Sequence, residues 1–309
     1  SVIVAALPYG PAAGLHPEPG PVARYARGRD YHPILRARLA GLARRLAAID
    51  PEAEYRLVVD GADLVEREAA VEAGLGWIGR NSCLITPEWG SWVVLGALLT
   101  TLELPPDQRR HGSCGRCRRC LGACPTAAFR APHELEPSRC LSYVSQVADA
   151  VPPSLLEALR GRLFGCDVCQ EVCPYNIAAA RRAQRECRQP EAVAAEWNSA
   201  GDHARPDLAR TAKMTKSVFR RLYGGTALAW RGPRPLRRNA ALALAGPLAS
   251  AAPSTLDQDA NGSAAGGPAL AVEPPVTNGP PVANGPAVAG AAGEVTAGRR
   301  TSGRPPADV

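Results

Sequence analysis

Eight of the ten cysteines lie between Cys114 and Cys173, and their spacing constrains the chain more than any other feature. The first run reads Cys114-x2-Cys117-x2-Cys120-x3-Cys124-Pro125; the second reads Cys166-x2-Cys169-x3-Cys173-Pro174, with Cys140 between the two. Three thiolates spaced in this way wrap one iron–sulfur cubane on a tight loop, while the cysteine before the proline ligates the other cluster. The runs therefore predict two [4Fe-4S] clusters in a reducing compartment.

The predicted ligand sets exchange one cysteine between the runs, and Cys140 takes the place that the second run lacks. The first cluster takes Cys114, Cys117, Cys120 and Cys173, and the second takes Cys124, Cys140, Cys166 and Cys169. A pair of structural zinc sites is the alternative, although zinc usually takes separated CxxC pairs rather than an overlapping run that ends in Cys-Pro. Cys83 and Cys187 lie outside the pattern, and we interpret them as buried or incidental thiols.

Residues 1–108 alternate between short apolar runs and longer amphipathic ones, which predicts a mixed α/β domain. Strands are predicted at 2–7, 57–59 and 91–101, and helices at 31–49 and at 62–73, the second stopped by Gly74. In the first helix, apolar residues recur at spacings of three and four, which predicts one buried stripe. That stripe consists of Leu35, Leu39, Leu42, Leu46 and Ile49.

The positive charge is confined to one stretch of the chain. Residues 1–180 carry 19 basic and 19 acidic residues, whereas 181–250 carry 14 and 5. This predicts a helical, basic segment attached to a neutral domain; its basic residues include Arg205, Arg210, Lys213, Lys216, Arg220, Arg221, Arg231, Arg234, Arg237 and Arg238. An ordinary solvated arginine face is the alternative to a nucleic-acid surface. Residues 251–309, in which Ala, Gly and Pro supply 32 of 59 positions, are predicted to be a disordered tail.

The sequence shows no signal for export or for membrane insertion. The longest apolar run, Trp92 to Leu99, is about half the length of a membrane span and predicts a buried strand. The chain begins without Met and without the charged start of a signal peptide, so we expect a cytoplasmic protein whose first domain is N-terminally incomplete.

Several further motifs resemble one known family, the epoxyqueuosine reductases, over roughly residues 1–245. The motifs are Gly28-Arg29-Asp30-Tyr31-His32, Val59-Asp60-Gly61, Glu66-Arg67-Glu68-Ala69-Ala70, Gly74-Leu75-Gly76-Trp77-Ile78-Gly79-Arg80-Asn81, Pro87-Glu88-Trp89-Gly90-Ser91, and the cysteine run followed by Arg139-Cys140-Leu141-Ser142-Tyr143. The resemblance implies a cobalamin-dependent iron–sulfur enzyme, related to reductive dehalogenases, that removes the epoxide oxygen of epoxyqueuosine at the wobble base of tRNA. Electrons would pass through the two clusters to the cobalt.

The resemblance also implies roles for individual residues. The acid of the family falls on Asp60, and a carboxylate facing a corrin would have a raised pKa and stay protonated near neutral pH. The alternative role of Asp60 is a helix N-cap for 62–73. Cobalamin contacts are implied within Arg24–His32, around Arg80–Leu84 and beside the second cluster, at Arg24, Tyr31, His32, Asp60, Arg80, Asn81, Leu84 and Ser142.

Two features of the motif region carry weaker interpretations. His32 has the chemistry of a lower axial cobalt ligand, but the resemblance does not imply that role. The glycines of Gly74-Leu75-Gly76-Trp77-Ile78-Gly79 superficially match a dinucleotide loop, but they lack the strand before and the helix after. We expect them to allow close backbone approach to a large flat cofactor.

The predicted organisation has four parts: an α/β cobalamin-binding domain at 1–108, a ferredoxin-like two-cluster domain at 109–180, a short basic HEAT-like helical segment at 181–250, and the tail. The expected partners are tRNA carrying epoxyqueuosine and an unidentified one-electron donor, with no membrane, and the chain is expected to be a monomer. Two alternatives stay open: a dehalogenase-like cobalamin enzyme acting on a small molecule, and a two-cluster ferredoxin-type electron carrier.

Overall fold

The fold was obtained as a computed structural model, which describes residues 1–9, 21–61, 64–147, 150–185, 203 and 205–245. The predicted tail at 251–309, Cys187 and part of the basic segment lie outside the described residues. None of the helices in the described ranges is both long enough and apolar enough to cross a bilayer.

A three-stranded sheet forms the centre of the N-terminal half. Its strands are β1 (Val2–Pro8), β2 (Tyr55–Val58) and a third at Val93–Thr100, which lies between the other two and pairs with both in antiparallel fashion. Sequence reasoning predicted all three strands, and the central one is the apolar run that has Leu98 fully buried. Two short strands, β3 (Trp77–Ile78) and β4 (Leu84–Ile85), form a separate hairpin, which makes the central strand β5 in chain order.

Helix α1 (Tyr31–Ala47) packs across the sheet, and α2 (Glu66–Glu72) also contacts it. Leu35 and Leu39 of α1 are buried against Gly96 of β5, where any side chain would lie within 3 Å of Leu35. The predicted stripe is wrong at its end: the helix stops at Ala47, and Ile49 is 81% exposed. Helix α2 is shorter than predicted but is followed by Gly74 at φ +71°, as expected of a glycine stop.

The cysteine region consists of short elements joined by loops. These are α3 (Arg119–Ala123), the hairpin β6 (Phe129–Ala131) and β7 (Glu134–Leu135), α4 (Leu141–Val144), α5 (Leu156–Leu159), α6 (Val168–Glu171) and α7 (Pro174–Arg185). The basic segment adds α8 (Leu208–Lys213), α9 (Lys216–Tyr223) and α10 (Pro233–Leu244). Single 3-10 turns occur at Arg24–Ala26, Pro137–Arg139, Pro153–Leu155 and Ala227–Arg231.

One hydrophobic core runs through these parts. It combines Leu35 and Leu98 of the α/β elements with Phe164, which precedes the second cysteine run, and with Phe219 and Leu236 of the C-terminal helices. The extended segment around Val22 pairs with Phe164, and the amide of Ala23 donates to the carbonyl of Phe164 at 2.8 Å. The α/β elements, the second cysteine run and the basic helices are therefore held by the same packing.

Candidate active site

Asp60 lies two residues after the end of β2 and presents a half-exposed side chain, 49% accessible. Its backbone lies at φ +51°, in the left-handed region that aspartate tolerates better than most residues. The amide of Asp60 donates to Oε1 of Glu66 at 2.7 Å, and Nη2 of Arg36 donates to the carbonyl of Val59 at 3.3 Å. These bonds fix the turn, so the carboxylate projects from a defined position.

Two side chains from the first turn of α1 reach the Asp60 carboxylate. The hydroxyl of Tyr31 donates to Oδ2, and Nε2 of His32 lies 2.9 Å from the same oxygen. The other ring nitrogen of His32, Nδ1, lies 2.6 Å from Oδ1 of Asp30, the N-cap of α1. The Tyr31 and His32 rings stack with centroids 4.2 Å apart. His32 therefore bridges two carboxylates, and neither of its nitrogens is directed away from them.

The bridging arrangement determines where the proton resides. Hydrogen bonds to Asp30 and Asp60 raise the pKa of His32 to about 9. Burial by itself would raise the pKa of Asp60, but the hydrogen bonds from His32 and Tyr31 outweigh it and hold that pKa below its ordinary value. Near neutral pH the site is thus a cationic imidazole between two carboxylates. The pKa of His32 is higher in the folded protein than its ordinary value. The pairing therefore makes its full contribution to the free energy of unfolding below about pH 6.5, and this contribution is lost as the pH rises through about 9.

This result corrects the expected protonation state of Asp60. A raised pKa was predicted from burial against a corrin, whereas in this structure Asp60 is an anion and the adjacent His32 holds the proton. Asp60 is also not the N-cap of α2, because that helix begins at Glu66 and Val65 occupies the N-cap position.

The first group of cysteines lies around one pocket. Its lining residues are Cys114, Cys117, Cys120 and Cys173 together with Arg80, Asn81, Ile85, Pro174 and Tyr175. The amide of Arg80 donates to Sγ of Cys114 at 3.5 Å, and its guanidinium donates to the carbonyl of Gly115 at 2.7 Å. The structure therefore brings together the four cysteines that were predicted to share the first cluster, and two predicted cobalamin contacts, Arg80 and Asn81, lie beside them.

Asn176, three residues after Cys173, anchors the start of α7. The Asn176 side chain accepts a hydrogen bond from the amide of Ser91 at 2.6 Å and donates to Oγ of Ser91 at 2.9 Å and to the carbonyl of Gln170 at 2.7 Å. Nearby, the hydroxyl of Tyr175 donates to the carbonyl of Ser113 at 2.6 Å. These contacts anchor the start of α7 to both the α/β elements and the loop that precedes Cys114.

Three cysteines of the second predicted set interact electrostatically with one another. Burial and neighbouring thiols raise the pKa of Cys169, and Cys140 and Cys166 are among those neighbours. Burial also raises the pKa of Cys166 to about 11, with a further contribution from Cys140. The fourth, Cys124, is tied to the Cys140 segment through Thr126, whose hydroxyl donates to the carbonyl of Arg139 at 2.7 Å.

Cys83, which the sequence pattern left aside, lies close to thiols of both groups. Burial raises the pKa of its thiol to about 12, and Cys173 and Cys140 add to the shift. Within the described residues, no three His, Cys, Asp or Glu side chains converge in the way that a single bound metal ion requires. The first group instead lines a shared pocket.

The remaining predicted contacts have distinct positions. Arg24 is buried: its amide donates to Oδ2 of Asp167 at 2.7 Å, and its guanidinium lies 3.3 Å from Oε1 of Glu171 and 5.2 Å from the ring centre of Trp92. Arg24 therefore connects the N-terminal half to the second cysteine run. Leu84 is buried in β4, and Ser142 lies in α4, two residues after Cys140.

The glycines at 74–79 serve the packing of the protein itself. A side-chain carbon on Gly76 would lie 2.1 Å from the carbonyl oxygen of Ile85, and one on Gly79 would lie 2.5 Å from Cδ1 of Ile85. The β3–β4 hairpin therefore requires glycine at these two positions without any cofactor, and the expected close approach to a cofactor stays a prediction.

The basic residues singled out from the C-terminal segment are almost all exposed. All ten of those singled out from the sequence are exposed except Arg238, whose guanidinium donates to the carbonyls of Val147 and Val144 at 2.9 and 3.0 Å. Close to them, Trp230 is 63% exposed, with the Arg231 guanidinium 3.6 Å from its ring centre. An exposed tryptophan among basic residues was not recognised from the sequence.

Two family models match the chain. Residues 113–176 match the 4Fe-4S double cluster binding domain, and residues 1–61 match the model described as epoxyqueuosine reductase QueG, DUF1730. The curated epoxyqueuosine reductase of Gloeobacter violaceus is 41% identical over 248 residues, which cover 79% of this chain and 76% of that protein. The chain belongs to the epoxyqueuosine reductase family.

Solved structures of epoxyqueuosine reductases have the same fold. The enzyme of Streptococcus thermophilus superposes with a TM-score of 0.67 at 32% identity, and an epoxyqueuosine reductase with an epoxyqueuosine-modified tRNA-Tyr stem loop superposes with a TM-score of 0.65 at 31% identity. Each match covers 79% of this chain and 63% of the solved chain. This epoxyqueuosine reductase family member therefore spans somewhat less than two thirds of those structures.

Replacing Asp60 by Asn should lower the pKa of His32 from about 9 toward its ordinary value of about 6.5, because the neutral amide no longer stabilises the imidazolium. The measurement is a pH titration of the histidine ring signals by NMR, with His32 assigned through a His32→Gln variant.

The control is Asp50→Asn, which removes a carboxylate from the loop after α1 and should leave the His32 titration unchanged. A His32 pKa that is the same in wild type and in Asp60→Asn would contradict the bridging arrangement.

Proposed function

We propose that this chain reduces epoxyqueuosine to queuosine at the wobble position of tRNA, with two [4Fe-4S] clusters and cobalamin as cofactors. The observation that carries the proposal is the Asp60–His32 pair, which places a proton beside a half-exposed carboxylate in a chain that also gathers four cysteines around one pocket. The epoxyqueuosine reductases that it resembles in sequence and fold support the choice of substrate.

The ligand sets that we propose follow the exchange between the two cysteine runs. The shared pocket of Cys114, Cys117, Cys120 and Cys173 supports the first set, and the mutual electrostatic effects of Cys140, Cys166 and Cys169 support the second. Thiols packed so closely repel one another as thiolates, and bound iron would remove that repulsion, so cluster assembly should release protons.

The residues present also fit a cobalamin beside Asp60. Oγ of Ser82 is buried without a partner among the described residues, within the stretch that the family resemblance assigns to the corrin, and it can bond to the amide groups on a corrin rim. A second set of polar groups that can bond to those amides consists of Asp60, His32 and Tyr31. When bound, cobalamin supplies the cobalt centre that transfers electrons to the substrate.

The side chains of the site supply the protons. Converting an epoxide to an alkene consumes two electrons and two protons and releases the oxygen as water. Nε2–H of His32 passes its proton to Oδ2 of Asp60, which donates it to the departing oxygen. Asp30, bonded to the other ring nitrogen, keeps the imidazole basic enough to take up another proton. The hydroxyl of Tyr31 holds the Asp60 carboxylate in place.

Asp60→Asn should retain both clusters and bind cobalamin while losing about 10²- to 10⁴-fold in turnover, the usual contribution of a positioned general acid. His32→Gln should lose less and should shift the alkaline limb of the pH–rate profile. Turnover is measured as queuosine formed in a tRNA stem loop under anaerobic conditions, with iron content as the check on folding. Wild-type turnover in Asp60→Asn would remove Asp60 from the mechanism.

We also propose that the basic helices bind the tRNA. The exposed cations on α8, α9 and α10 match a phosphate backbone, and the exposed ring of Trp230 matches an unstacked base of the anticodon loop. Nε1 of Trp230 lies 3.5 Å from Oε1 of Gln146, only a few residues beyond Cys140, so this surface adjoins the second cysteine group.

In a salt series of tRNA affinity, Arg220→Ala should reduce the slope of log K against log salt by about one, because one phosphate contact is lost. Trp230→Ala should weaken binding at every salt concentration without changing the slope, since stacking releases no counterions. Arg45→Ala, an exposed arginine on α1, is the control with no expected effect. A flat slope for the wild type would favour a small-molecule substrate instead.

The remaining parts of the proposal concern organisation. We propose that α8 and α10, which pack against each other, begin a HEAT-like array, and that the chain acts as a cytoplasmic monomer supplied by a separate one-electron donor. The division into domains at 108, 180 and 250 stays a prediction.

A further inference from the structure

The side-chain amide of Asn81 is fixed in one orientation inside the protein. The residue is 5% exposed, and its Oδ1 accepts a hydrogen bond from the amide of Cys83 at 3.3 Å. A side chain on Gly79 would lie 2.8 Å from the same Oδ1, so the glycine leaves room for the amide group. Because the oxygen is engaged in this way, the nitrogen must be the free end.

Nδ2 of Asn81 is a buried donor for which the protein offers no acceptor. Within the described part of the chain no oxygen, nitrogen or sulfur atom accepts a hydrogen bond from it. Buried donors without an acceptor are rare in folded proteins, and each calls for an explanation such as a bound group. Asn81 lines the pocket that Cys114, Cys117, Cys120 and Cys173 surround.

The residue before Asn81 already makes the type of contact that a cluster takes. The amide of Arg80 donates to Sγ of Cys114 at 3.5 Å, and its guanidinium holds the carbonyl of Gly115 on the same loop. The Arg80–Asn81 dipeptide thus places two N–H groups against the cysteine pocket, one of which already has a sulfur acceptor.

We propose that Nδ2–H of Asn81 donates a hydrogen bond to a sulfur of the cluster held by this pocket and thereby raises the reduction potential of that cluster. This inference rests on the proposed cluster ligation and moves Asn81 from the cobalamin contacts to the surroundings of the first cluster. Reduction adds negative charge to the cluster, and a donor to its sulfurs stabilises the reduced form more than the oxidised form.

The test compares reduction potentials in anaerobically reconstituted full-length chains by EPR-monitored redox titration. Asn81→Leu removes the donor at similar volume and should shift one of the two cluster potentials to a more negative value, with the other unchanged. Asn81→Asp keeps an oxygen for the amide of Cys83 but replaces the donor with an acceptor, so it should shift the same potential further in the same direction.

Tyr55→Phe is the control, since it removes another buried hydroxyl without a partner among the described residues, one that lies in β2 and does not line the cysteine pocket; it should leave both potentials unchanged. Unchanged potentials in both Asn81 variants, or an equal shift in Tyr55→Phe, would overturn the proposal. So would loss of a cluster from both Asn81 variants, because a donor that only tunes the potential is dispensable for assembly. Failure of the wild type itself to hold two clusters would instead refute the proposed function.

Discussion

The position of Cys173 beside the first cysteine run is the constraint on which the rest of the structure depends. Cys173 belongs to the second run, yet its side chain lines the pocket of Cys114, Cys117 and Cys120. The Asn176 side chain fixes this position through Ser91 and Gln170, which belong to different parts of the chain. Because the two runs share a pocket, the ligand set of the first predicted cluster needs cysteines from both runs. Both runs are also attached to the α/β elements.

A second contact, made by Arg24, links the cysteine region to the site of Asp60 and His32. Arg24 joins Asp167, next to Cys166, to the segment that leads into α1, and α1 carries Tyr31 and His32. Phe164 reinforces this link from within the hydrophobic core. An enzyme that must deliver electrons and protons to one substrate needs the source of each held at a fixed separation from the other. The continuous core and the buried hydrogen bond between Arg24 and Asp167 provide this fixed separation.

Sequence reasoning predicted those features that depend on local spacing. The cysteine spacing gave two groups, and the structure gathers the first of these around one pocket; the apolar runs gave all three strands of the sheet. It was wrong where distant residues decide the outcome. The pKa of Asp60 depends on His32 and Tyr31, nearly thirty residues earlier, and a side chain at Gly76 or Gly79 would clash with Ile85 of the β3–β4 hairpin. The sequence also did not show that Asn81 lines the pocket of the first cysteine group, because no local pattern indicates which pocket a side chain lines.

The exchange of cysteines is tested most directly by the iron content of two double variants after anaerobic reconstitution. Cys114→Ala with Cys173→Ala removes two ligands of one cluster, so the chain should keep the four irons of the other. Cys166→Ala with Cys173→Ala removes one ligand from each cluster, so the chain should lose both. The reverse result, with the first pair losing all iron and the second pair retaining one cluster, would contradict the account, as would zinc in place of iron in the wild type.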